Sequence, residues 1–158
     1  MIEQIKTAFN MVINYEKMIN LEEGYEKKIL KSVSETLILK IENLENTKNL
    51  DEILNEIITF NEILNYSIKS LKKEPSSKAL MYIQMVEEAN SLVNTTISNE
   101  GIQKISPKEG DIFNNKEHIV IMVQKDEDFT KGKIIKKISD GYRKEDKVII
   151  KATVIAAL

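Results

Sequence analysis

Cysteine is absent from this 158-residue chain, so disulfides and thiolate metal sites are excluded, and a reducing compartment is compatible with it. Histidine occurs once, at His118, and a lone histidine cannot build a common zinc site. Arginine also occurs once, at Arg143, so 22 of the 23 basic residues are lysine. No charge of one sign predominates. The 23 basic residues face 25 acidic ones, a net charge of -2, which argues against a partner made of phosphate backbone. No run approaches the ~20 apolar residues needed to span a bilayer. The N-terminus carries Glu3 and Lys6 among its apolar residues and lacks the apolar stretch of a signal peptide, so the cytoplasm is the expected location. Proline does not appear before Pro75, and Gly24 is the only glycine in residues 1–100.

What is present is enough for a core. The chain is 42% hydrophobic and 30% charged, too apolar for a disordered polypeptide. Ile2, Ile5, Phe9, Val12 and Ile19, then Ile29, Val33, Leu37, Ile41 and Leu44, recur at three- and four-residue steps, the period of a helix buried on one side. Gly24 either caps a first helix or is tolerated inside one long helix at a cost of about 1 kcal/mol. The reading favours a single long helix over residues 2–45. Asn49 followed by Glu52 has the form of a capping box and opens a second stripe from Leu50 to Leu71. Pro75 disfavours a helical Glu74, and Ser76 or Ser77 caps a further helix in which Leu80, Ile83, Val86, Ala89, Val93 and Ile97 line one face.

At Gly101 the period changes from helical to alternating. Strands are expected at 102–105, 118–124, 132–139 and 147–156, punctuated by Pro107, Gly110-Asp111, Asn114-Asn115, Asp126-Glu127-Asp128 and Gly141. The β-branched run Ile119–Val123 is apolar on both faces, which suggests burial between layers or one face docked on helices. The fold class is therefore α+β: a long N-terminal coiled-coil-like helix and a helical bundle, followed by a small C-terminal β domain. The helical stripes are thin and have no evident second layer, so self-association as a dimeric coiled coil or bundle is expected.

The β-patterned third carries a specific series. Gly101-Ile102 and Ile105 come first, then Phe113-Asn114-Asn115, His118, a strand to Val123, Gly132, Gly141-Tyr142, Asp146, Ile149 and Ala152-Thr153-Val154. This series resembles GrpE, the nucleotide-exchange factor of DnaK-type chaperones, whose pattern runs Phe-Asp-Pro, His, a strand, Gly-Tyr, and a last strand ending in Ala-x-Val. The departures are Asn115 for proline, Val120 for alanine and Ala156 for a larger apolar residue. Further upstream, Leu37-Ile38-Leu39-Lys40-Ile41-Glu42-Asn43-Leu44-Glu45 resembles a helical segment of the family without its proline. Asn14-Tyr15-Glu16-Lys17 falls near the family's Asn-Tyr-Arg-Lys. Residues 48–75 then look like an insertion of about one helix. The resemblance implies a dimerisation helix over 1–47, a bundle segment over 48–99 and a β domain over 100–158.

The same residues have plainer readings. Gly101, Gly132 and Gly141 are turn residues needing positive φ or close backbone approach, and no phosphate-loop pattern surrounds them. His118 reads as a structural histidine at a strand start, and Tyr142 as a packed aromatic. Asp126-Glu127-Asp128 lacks calcium-loop spacing and reads as a solvated hairpin loop. No nucleophile–base set can be assembled, so no catalytic activity, cofactor or metal is expected.

The resemblance implies a function of another kind, a co-chaperone that binds the nucleotide-binding domain of a DnaK-type chaperone and accelerates ADP release. It implies a homodimer and neither nucleic acid nor membrane as partner. Mapped residue by residue, the family's chaperone-facing positions fall on Ile138, Lys147 and Ala156; core packing is an equal reading of Ile138. Lys147 keeps the charge of the family's arginine but not its two-pronged donor geometry. The alternative is a helical dimeric adaptor that keeps the β domain without exchange activity.

Overall fold

The structure, a computed structural model, describes residues 1–71 and 75–158. The chain divides into a helical unit, Met1–Glu100, and a β unit, Gly101–Leu158. The α+β class and the order of helices before strands are as the sequence indicates. Glu74, where the helix before Pro75 is expected to end, lies outside the described residues.

Among the described residues the helical unit has four helices: α1 (Ile2–Met18), α2 (Tyr25–Asn46), α3 (Leu50–Leu71) and α4 (Ser77–Asn99). The single helix expected over residues 2–45 is therefore corrected to two. The chain leaves α1 at Ile19, whose backbone is extended, and α2 begins after Gly24. The physical reason is burial. Between Ile13 and Leu30 no residue is buried, so nothing in that stretch holds a continuous helix against a core. Gly24 sits at the N-cap of α2, not beyond the end of α1 as a left-handed cap. The other caps are as expected. Asn49 Oδ1 accepts from the Glu52 N–H at 3.0 Å, and Ser76 Oγ accepts from the Ala79 N–H at 3.1 Å.

Side-chain pairs fix the directions of the helices. Lys6 near the start of α1 meets Glu45 near the end of α2 at 2.8 Å. Lys40 and Asn43 of α2 both reach Glu56 of α3, at 2.8 and 3.1 Å. Glu26 at the start of α2 accepts from the N–H and the hydroxyl of Ser76, just ahead of α4. Lys78 of α4 donates to the Asn20 carbonyl after α1. Consecutive helices are antiparallel, α4 runs back along α1, and the result is an up-down four-helix bundle. Phe9 of α1 stacks on Phe60 of α3 at 4.2 Å between ring centroids, and both are fully buried.

This closure corrects a premise of the sequence reading. The stripes do have a second layer within the chain: Ile5, Phe9 and Val12 bury with Leu30, Val33, Leu37, Leu54, Ile57, Phe60, Val86 and Val93. The expected face of α4 is buried at Ile83, Val86, Ala89, Val93 and Ile97 and differs only at its start. Ala79 and Tyr82 are buried, whereas Leu80 is exposed.

The β unit has six strands: β1 (Ile102–Ile105), β2 (His118–Gln124), β3 (Ile134–Ser139), β4 (Gly141–Lys144), β5 (Lys147–Ile150) and β6 (Ala152–Ala157). They form two three-stranded sheets, ordered β1-β4-β5 and β2-β6-β3. β1, β4 and β5 are antiparallel neighbours; β2 runs parallel to β6 and β3 antiparallel to it. The strand expected over 147–156 is thus two strands that change sheet at Lys151, and β4 went unpredicted because Gly141 reads as a turn. Alternate residues of β6, Ala152, Val154 and Ala156, enter the core with Ile102, Ile105, Ile134 and Tyr142. The covered position expected for the β2 run is corrected as well: Ile119, Ile121, Met122 and Val123 are each at least half exposed.

Candidate functional site

The turn before β2 is built around Asn114. Its side-chain oxygen accepts from the Lys116 N–H at 3.0 Å, and its carbonyl accepts from the Glu117 and His118 N–H groups at 3.1 and 2.8 Å. Its own N–H donates to His118 Nδ1 at 3.1 Å. That contact requires an unprotonated Nδ1, so it assigns the neutral imidazole its proton on Nε2. The Phe113 ring lies 6.0 Å from the imidazole, and His118 is buried. Phe113, Asn114 and His118 therefore form a turn lock in which the histidine is a structural acceptor. The role of Asn114 is legible in sequence only as an asparagine two residues ahead of the next backbone donor.

A second cluster precedes Gly141. Asp140 accepts from Lys137 Nζ at 2.5 Å and lies 3.3 Å from Lys104 Nζ; Lys137 also donates to Ser106 Oγ at 2.7 Å. Burial works against the Asp140 charge, but the Lys137 hydrogen bond and the Lys104 charge outweigh it, so its pKa lies below the ordinary carboxylate value. The network is not legible in the sequence because its members come from two separate segments, Lys104 with Ser106 and Lys137 with Asp140.

Gly141 starts β4 in close contact with the β5–β6 junction. An added Cβ would lie 2.4 Å from the Ala152 nitrogen and 2.5 Å from the Ile150 carbonyl oxygen. Of the two glycine readings it is the close approach that applies here, while Gly101 and Gly132 take positive φ values of 74° and 83°. Tyr142 is fully buried, as a packed aromatic should be. Ala152 and Val154 are buried on β6.

The three positions mapped as chaperone-facing separate. Ile138 is 40% exposed on β3, in one sheet, and Lys147 is exposed at the start of β5, in the other. Lys147 pairs across the hairpin with Lys144, two like charges set side by side. Between them is a two-residue turn whose first residue, Glu145, has φ 52°. Ala156 pairs with Ile134 and is only 4% exposed, its side chain in the core of the β unit.

The cleft of about 490 Å³ beside β1 offers little chemistry. Its Arg143 is engaged by Glu117 at 3.1 Å and by Gln103 at 2.9 Å. Among the described residues no group of three or more histidine, cysteine or acidic side chains is placed to hold a metal ion. Among the same residues no helix is long and apolar enough to cross a membrane.

The family model of GrpE matches residues 3–157. The chain belongs to the GrpE family. No curated protein matches it. The match covers the helical unit as well as the β unit, so α3 is part of a GrpE chain in this case. GrpE proteins are nucleotide-exchange co-chaperones, not enzymes. The GrpE pattern residues Phe113, His118, Gly132, Gly141, Tyr142, Ala152 and Val154 act here on the shape of the β unit: four are buried, and Gly132 and Gly141 meet backbone demands.

Proposed function

We propose that this chain binds the nucleotide-binding domain of a DnaK-type chaperone through its β unit and accelerates ADP release. The observation that carries the reading is the GrpE match over residues 3–157. The mechanism is differential binding. The β unit prefers the nucleotide-binding domain with its cleft open, so binding shifts the population toward open and ADP leaves. Linkage makes the effect reciprocal, and ADP weakens the factor's own binding by the same factor. A thousandfold loss of ADP affinity needs a preference of about 4 kcal/mol for the open state.

The exposed Ile138 and Lys147 are the contacts this reading assigns, with Ala156 supporting β6 from inside. Lys144 and Lys147 are paired across the turn, with the exposed Glu145 and Asp146 between them, so the hairpin offers charges of both signs to a partner. The test is stopped-flow release of labelled ADP from a matched DnaK. Saturating factor should raise the release rate by orders of magnitude, and no acceleration overturns the proposal in favour of an adaptor without exchange activity. Lys147→Glu should abolish complex formation while the chain stays folded; unchanged binding removes Lys147 from the contact.

We further propose that the protein is cytoplasmic and acts as a homodimer. The apolar stripes of residues 1–47 are spent inside the bundle, so a dimer seam must use surface still exposed. One candidate on the helical unit is the apolar groove of about 570 Å³ between α2 and α3, lined by Tyr25, Ile29, Val33, Ile63 and Tyr66.

A further inference from the structure

β2 lies at the edge of its sheet, with β6 on one side and no described strand on the other. An edge strand keeps backbone donors and acceptors that a further strand can pair with, and charged residues, lysine above all, guard against it. The other three edges are guarded. β1 carries Lys104, β5 carries Lys147, and β3 carries Lys136 and Lys137. β2 has no lysine, arginine, aspartate or glutamate, and at seven residues it is the longest strand of the unit. Past its first residue the core does not cover it. His118 is buried and Val120 half-buried, whereas Ile119, Ile121, Met122 and Val123 are 50–58% exposed. Neighbouring residues of a strand point to opposite faces, so the exposed Met122 and Val123 leave it bare on both faces as well as along its edge. The bulge between Val120 and Met122 divides the ladder, and Met122–Gln124 is the longer stretch left for pairing.

This combination selects the chemistry of a partner. A strand added at the edge sets its side chains beside those of β2 on both faces. It therefore gains most when it is apolar at consecutive positions, not at alternate ones. In folded proteins such uninterrupted apolar runs are buried inside sheets. They are reachable only in a chain that has not folded. The flanks of β2 add a charge rule. Lys116 is exposed at its N-terminal end, where Lys151 donates to the Asn115 carbonyl and Glu117 is already paired with Arg143. Lys125-Asp126-Glu127-Asp128 follows its C-terminal end, net acidic and exposed at Glu127 and Asp128. The segment that fits carries acidic charge at one flank and basic charge at the other, and natural apolar strands are commonly flanked by charges.

We propose that β2 captures extended apolar segments of unfolded polypeptides by strand addition, with charges of opposite sign flanking the captured segment. This peptide-binding activity goes beyond nucleotide exchange. It uses neither Ile138 on β3 nor Lys147 on β5, so the contacts proposed for the chaperone stay free while an unfolded segment is held beside them.

The probe is a fluorescein-labelled peptide, Lys-Lys-Val-Leu-Ile-Val-Leu-Val-Glu-Glu, titrated with the full chain at low salt and read by fluorescence anisotropy. The anisotropy should rise to saturation. A peptide with serine at every second apolar position should bind about tenfold more weakly or worse, because one face of β2 stays bare. Val123→Lys should weaken binding of the first peptide by a similar factor, with unchanged circular dichroism. Lys116→Glu removes the basic flank. It should shift preference about tenfold toward a peptide ending in Lys-Lys in place of Glu-Glu. This exchange touches no apolar residue, so it decides the matter even where Val123→Lys does not fold. Binding to wild type that neither substitution alters lies elsewhere on the chain and overturns the proposal. No binding to wild type also overturns it, and leaves the chaperone or a second copy as the cover of β2. ADP release is read in its own assay, so a chain that accelerates release without binding peptide keeps the proposed function and loses only this activity.

Discussion

Replacing Gly141 with alanine is expected to loosen the β unit while the helical unit keeps its stability. The added methyl would meet the Ala152 nitrogen at 2.4 Å, the Ile150 oxygen at 2.5 Å and the Lys151 carbonyl carbon at 2.8 Å. Comfortable contact between heavy atoms is about 3.5–4 Å, so the overlap is on the order of 1 Å. All three atoms are backbone, and no side-chain rotation relieves them. The β5–β6 junction has to move. Overfilling a packed site typically costs about 1–3 kcal/mol. The shift also strains the Ala152 N–H bond to the Glu117 carbonyl at 2.9 Å, for about 1 kcal/mol more. The sum, about 3 kcal/mol, is a large part of the roughly 3–9 kcal/mol expected of a unit this small. Amide hydrogen exchange on the intact chain reads the effect by segment. Peptides from 118–157 should exchange about a hundredfold faster and those from 2–99 at the wild-type rate. Gly132→Ala is the control. Its positive φ costs about 1–2 kcal/mol, but open space surrounds the site and no backbone has to shift. Protection in Gly141→Ala within a few-fold of wild type would refute the close-approach argument.

Two further outcomes follow from buried polar groups. The Tyr82 hydroxyl is buried in the bundle without a hydrogen-bond partner among the described residues, and burial pushes its pKa up. Tyr82→Phe should therefore leave the urea midpoint unchanged or raise it, by up to about 1 kcal/mol, and a loss would reveal a partner for that oxygen. Asp140 has a folded pKa below its ordinary value, so its contribution is complete above an unfolded pKa of about 3.9 and fades as pH falls through the folded value. Asp140→Asn should cost the β unit about 1–3 kcal/mol at pH 7. The gap should close below about pH 4 in urea melts; a gap constant from pH 7 to pH 3 would rule out the charge as its source.

The class and order of the elements were legible because the hydrophobic period changes at Gly101. Caps were legible where one side chain makes them, as at Asn49 and Ser76. The break after Met18 was harder to see. Ile19, Leu21 and Tyr25 keep enough apolar residues in step to carry the eye across a stretch in which nothing is buried. Which helical stripe faces which is also not a local property, so closure of the bundle by α3 within one chain was missed. The same holds for the first turn of α4, where Ala79 and Tyr82 are buried and Leu80 is exposed. In the β unit, His118 and Tyr142 were read correctly as packed residues. The burial of Ala156, whose register sets it against Ile134, was not legible in the sequence. The uncovered state of β2 has no sequence signature at all, since an apolar run looks the same buried or bare.

A bundle whose four members belong to one polypeptide melts as a unimolecular event. Its midpoint should ignore dilution wherever the seam between copies lies outside the bundle. Heating such a protein separates two processes that a shared helical seam would fuse. One is the parting of copies, governed by mass action; the other is the loss of helix, governed by the chain alone. Any response of this chain to temperature through its helices is therefore set by its own covalent length of sequence and not by how much of it the cell contains.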